Sequence, residues 1–74
     1  MQEPQSTSIS NDEYDVVSTL YHCLREAQHC GCYIQDAQNE GQQEVAQFFK
    51  DEQQLANKHA EQAKDLLNKI RSGR

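Results

Sequence analysis

Two groups of residues have types and spacings that could do chemistry. The first is His22, Cys23, Glu26, His29 and Cys30. His22 and Glu26 stand at i, i+4, Glu26 and His29 form a Glu-x-x-His, and the His and Cys pairs each repeat at i, i+7. On a helix these spacings put side chains on one face or on adjoining faces. Imidazole and thiolate together are a donor set for zinc or copper. The plainer reading is that Cys23 and Cys30 act as small apolar residues in a buried stripe, beside solvated histidines. The second group is His59 with Glu52, on the same face of a later helix. They are candidate metal ligands. In the alternative, His59 is a core histidine hydrogen-bonded to a polar neighbour, such as Gln28 of a partner helix. Glu52 would then be a carboxylate at the rim of an interface.

Other chemistries lack their residues. There is no Gly-rich phosphate loop, and no Ser/His/Asp or Cys/His set has the context for nucleophilic catalysis. Cys30-Gly31-Cys32 is a C-x-C pair whose thiols diverge on a helix, unlike the C-x-x-C of redox proteins. Cys32 falls off the apolar stripe and is expected to be exposed, as the candidate for oxidation or for a bond between chains. An odd number of cysteines without a secretory signal predicts free thiols. Cys23 and Cys30 on one helix would lie ~10 Å apart at its rise per residue, beyond the ~7 Å limit for a disulfide.

Composition narrows the classes further. A net charge of −5 opposes binding to nucleic acid, which rests on Lys and Arg, and to anionic membranes. No apolar run approaches the ~20 residues of a membrane span. The N-terminus lacks the basic-then-apolar pattern of a signal peptide, so a cytoplasmic location is expected. At 74 residues and 35 % apolar, the chain is a single small domain. Such domains reach useful stability through disulfides, a metal or oligomerisation.

The elements that must position these residues are helical. Residues 1–10, "MQEPQSTSIS", read as a flexible tail, compatible with a piece of a longer chain. Ser10 stands three before Glu13, a capping-box pattern. A helix is predicted over about 11–39. Its stripe is Val16, Leu20, Cys23, Ala27, Cys30, Ile34 and Ala37, widened by Val17 and Leu24. Gly31 interrupts the stripe, for which close helix approach is the expected reason. Gly41 suits a left-handed cap in a turn at about 40–42. A second helix, about 43–71, carries Val45, Phe48, Phe49, Glu52, Leu55, Ala56, His59, Ala63, Leu66, Leu67 and Ile70, with Lys69 and Arg71 in its last turn. The expected fold is an all-α antiparallel two-helix hairpin. One hairpin leaves half of each wide stripe in water, and a second copy is the simplest cover. The expected partner is therefore the chain itself, as a dimer or an assembly of dimers forming a four-helix bundle. The predicted dimer core is Val16, Leu20, Cys23, Leu24, Ala27, Ile34, Phe48, Phe49, Leu55, Ala56, Ala63, Leu66 and Ile70. A protein partner of another kind is not readable.

The segments "YIQDA" (33–37), "NEGQQEVAQFF" (39–49) and "KHAEQAKDLL" (58–67) resemble the ferritin-like superfamily. The similarity is to the two-helix hairpin of encapsulated ferritins and rubrerythrin-like proteins, and it spans Val16 to Ile70. The resemblance implies two hairpins in a four-helix bundle. In that family a Glu of the first helix and a Glu-x-x-His of the second hold iron. Position by position, the first-helix Glu falls on Gln28 and the Glu of Glu-x-x-His on Ala56, and His59 alone matches. A di-iron centre needs anionic ligands to offset its charge. The implied protein is a ferritin-like bundle without a competent di-iron site, with no cofactor expected and no enzyme predicted. The alternative is iron or zinc at an altered site on the dimer interface. Its candidate ligands are His59, Glu52 and Gln28, then His22, Glu26, His29 and Cys30.

Overall fold

The computed structural model describes residues 8–73 and contains two helices, α1 (Asn11–Asn39) and α2 (Gln43–Ser72). Most of the predicted tail, residues 1–7, lies outside the described residues. Ser10 is the N-cap of α1, with extended backbone. The Glu13 N–H donates to Ser10 Oγ at 3.4 Å and to Asp12 Oδ1 at 2.9 Å, satisfying a donor that the first turn leaves without a helical partner. The Glu13 carboxylate reaches across the hairpin instead, accepting from Arg71 Nε at 2.9 Å.

The end of α1 is a Schellman motif. The Gln42 N–H donates to the Ala37 carbonyl at 2.9 Å and the Gly41 N–H to the Gln38 carbonyl at 3.1 Å. Gly41 sits between them at φ 71°, a left-handed conformation that costs other residues about 1–2 kcal/mol. The chain therefore reverses within three residues and α2 runs back antiparallel to α1.

The seam between the helices is made of small side chains. Ala27, Cys30 and Ala37 of α1 are buried against Ala46, Ala56, Ala60 and Ala63 of α2. All the alanines of the chain are in this seam. Small residues let two backbones approach closely, so much of the attraction is dispersion between main chains. Across the seam Gln53 Nε2 donates to the Ala27 carbonyl at 2.9 Å, which fixes the register of α2 on α1. Leu20, Ile34, Phe49, Leu67 and Ile70 flank the seam half-buried. Tyr33 and Phe49 pack with ring centroids 5.1 Å apart.

The result is a rod of 50 × 23 × 17 Å with a radius of gyration of 16.1 Å. A compact domain of this length would have a radius of about 11 Å. Larger apolar side chains lie outside the seam: Val45, Phe48, Leu55 and Leu66 are 43–57 % exposed.

Gly31 is not forced by a close approach. A Cβ placed there meets Gln53 Nε2 at 3.5 Å, an ordinary contact. Gly31→Ala is therefore expected to stabilise the hairpin by about 0.5–1 kcal/mol through helix propensity alone. A thermal melt followed by circular dichroism checks this, and a lower midpoint would mean that the seam cannot take one more methyl.

Candidate functional site

On one side of the seam α1 and α2 form a long open groove. Its central part is lined by Thr19, His22, Cys23 and Glu26 of α1 and by Glu52, Leu55, Ala56 and His59 of α2. It continues through Thr19, Cys23 and His59 to a second part lined by Asp15, Val16, Gln62, Ala63 and Leu66. Towards the turn, Tyr33, Asp36, Ala37, Glu40, Val45 and Phe49 line a further concavity. The groove has unequal walls. α2 supplies the large apolar side chains, while α1 supplies most of the acids.

The two candidate groups converge here in part. His22 and Glu26 from the first group face Glu52 and His59 from the second. His59, His22 and Glu26 are exposed and Glu52 is half-buried. Cys30 is fully buried behind them, and its thiol donates to Glu26 Oε2 at 3.8 Å. Burial, then the charge of Glu26 and its hydrogen bond, then the charge of Glu52 push the Cys30 thiol above its ordinary pKa. Carboxylates from both helices thus lie near one thiol, which stays protonated and unreactive.

The remaining candidates lie elsewhere. His29 packs its ring 6.3 Å from Tyr33. Gln28 is outside the groove lining and accepts from Arg25 Nη1 at 3.4 Å. Cys32 is exposed, and the cysteines are free thiols. Among the described residues, no three His, Cys, Asp or Glu side chains are grouped so as to hold a metal ion. Within one hairpin the groove is therefore a surface that carries both acids and imidazoles.

Residues that the sequence reading passed over also shape the groove and seam. Ala46, Ala60 and Gln53 face α1, and Asp15, Thr19 and Gln62 line the groove. The signal for the first three was present. Ala46, Gln53 and Ala60 recur at i, i+7 and i+14, but the larger apolar residues beside them dominate a stripe read by hydrophobicity.

No family model, curated protein or solved structure matches the chain. Among the described residues, no helix is long and apolar enough to cross a membrane.

Proposed function

We propose that this chain is a self-associating structural module in which two hairpins pair through the groove into a ferritin-like four-helix bundle without a competent di-iron site. One observation carries the reading. The seam of a single hairpin buries alanines and one cysteine, while Val45, Phe48, Leu55 and Leu66 remain open to water along one helix. Fully burying such a side chain is worth roughly 1.5–3 kcal/mol, so their exposure leaves much of the available stabilisation unused. A twofold partner seated in the groove covers these residues and gives a bundle of ordinary cross-section.

The ferritin-like part of the reading rests on the sequence resemblance, and Gln28 and Ala56 stand at its two glutamate positions. The role of the assembly is scaffolding, or presentation of the outer faces of the bundle to a partner. Sedimentation equilibrium on the full chain tests it. A dimer or larger species at micromolar concentration is the expected result, and a monomer at those concentrations would end the proposal.

A further inference from the structure

The charge of the rod is unevenly placed. Gln53 meets Ala27 and Arg71 meets Glu13 across the seam, so residues 26–55 form the half next to the turn, and residues 8–25 and 56–73 form the half at the open end. The turn half holds six acids and one base, Lys50, a net −5, and the open half holds five acids and five Lys or Arg, a net zero. The net charge of the described residues therefore lies entirely in the turn half. There the concavity of Tyr33, Asp36, Ala37, Glu40, Val45 and Phe49 combines apolar and aromatic walls with two carboxylates. Tyr33, Asp36 and Glu40 stand seven, ten and fourteen residues after Glu26, on the groove side of α1. At the other end, Lys69 and Arg71 occupy the last turn of α2. Arg71 is held by Glu13. Lys69 is exposed, and among the described residues Lys69, Asp36 and Glu40 make no ion pair.

One side of α2 is arranged to match. From Val45 to Lys69 it recurs by alternating steps of three and four residues, through Phe48, Glu52, Leu55, His59, Gln62 and Leu66, the spacing of a heptad seam. The run is centred on Asn57, at the middle of α2 (Gln43–Ser72). Turned end for end on a second copy at full overlap, it sets Phe48 level with the partner's Leu66, Leu55 with the partner's His59, Glu52 with the partner's Gln62 and Val45 with the partner's Lys69. With both copies in the same direction, Glu52 stands level with the partner's Glu52 and Lys69 with the partner's Lys69, and the two acidic halves lie side by side. Resting on the self-association proposed above, we infer that the two hairpins pair in opposite directions, about a twofold axis across the rod, so that the turn concavity of each copy receives Lys69 of the other. Asp36 and Glu40 supply carboxylates for the ammonium, and Tyr33, Val45 and Phe49 supply apolar surface for its stem. The opposed orientation also lays each acidic half on a neutral one, twice in each pair.

The test is a distance. A nitroxide at Gln43→Cys, in the full chain with Cys23→Ala and Cys32→Ser and the buried Cys30 retained, reads the separation of the two turns by pulsed electron paramagnetic resonance. The unlabelled variant is first checked to sediment as the unaltered chain does. Gln43 lies fourteen residues from the centre of the run, so opposed copies hold the labels about 42 Å apart along the rod at 1.5 Å per residue. Copies in the same direction hold them within about 25 Å, the width of a four-helix bundle with its labels. The longer separation is expected. The shorter one overturns opposed pairing while leaving self-association standing, and an unaltered chain that sediments as a monomer overturns both. Charge exchange tests the contact itself, in variants checked for retained helicity. Lys69→Glu should weaken the pair roughly tenfold, since a twofold interface loses the contact twice, and adding Asp36→Lys should restore the affinity. If it does not, the turn concavity does not receive Lys69 and that assignment fails.

Discussion

Phe48→Asp should weaken self-association by at least about 100-fold. Phe48 is 57 % exposed in the hairpin, stands one turn before Glu52, and shares its side of α2 with Leu55 and Leu66. It packs edge-on against Phe49, with centroids 5.1 Å apart, and is otherwise open to water. The proposed twofold pair would bury it twice. At roughly 1.5–3 kcal/mol for each buried side chain and 1.4 kcal/mol per tenfold in affinity, two losses exceed 100-fold before the desolvation of the new carboxylates is added. Because Phe48 contributes little to the seam, the helices should persist wherever the single hairpin is stable enough to do so. The control is Leu24→Asp. Leu24 is 50 % exposed and belongs to the dimer core expected from the sequence, but it lines no part of the groove and lies ~200° around α1 from Glu26. It should leave the mass unchanged. If both variants dissociate the protein equally, exposed apolar area in general holds the assembly, and the groove is not the interface. If neither does, the partner lies elsewhere.

A second large effect is expected in the seam. Ala60 is 2 % exposed, and Leu at that position has no space unless the two helices move apart. Overpacking of this kind costs typically 1–3 kcal/mol. A domain of this size has a total stability of only about 3–10 kcal/mol, and each kcal/mol moves the midpoint by about 4–8 °C. Ala60→Leu should therefore lower the melting temperature by roughly 10–20 °C at fixed protein concentration, even though it adds apolar surface. A helix read by hydrophobicity alone would gain stability from this change. An unchanged or raised midpoint would mean that the seam is looser than the buried alanines indicate. The two predictions separate the two contacts: one substitution attacks pairing and the other attacks the hairpin itself.

The helices and the turn were legible because local chemistry specifies them. Ser10 with Asp12 and Glu13 marks a helix start, Gly41 marks a reversal, and the intervening apolar period is that of a helix. Which face of each helix meets the other was legible for α1 and shifted for α2. On α1 the predicted stripe, from Val16 to Ala37, is buried or half-buried throughout. On α2 the hydrophobic stripe runs through Val45, Phe48, Leu55 and Leu66, which are exposed, while Ala46 and Ala60 are buried. The physical reason is that close approach selects small residues, whereas a hydrophobicity stripe rewards large ones. Within a single hairpin those large residues are not core at all.

The candidate site was legible as two separate lists. His22 and Glu26, and Glu52 and His59, each stood out by helical spacing. Their convergence on one groove depends on the register of α2 on α1, which Gln53 and the seam set. Nothing in the spacing along either helix specifies that register. Gln28 was singled out by resemblance to a family position and lies outside the groove, bonded to Arg25.

The turn and the Glu13–Arg71 contact give the rod two unlike poles. α1 begins and α2 ends side by side, held by a 2.9 Å ion pair between Glu13 and Arg71, while the opposite end carries only the loop around Gly41. In a molecule 50 Å long, anything joined to either helix at its outer end is tethered at the same pole. Reporter groups placed there would report on each other's separation, and a group inserted at the loop would project from the far pole, clear of both.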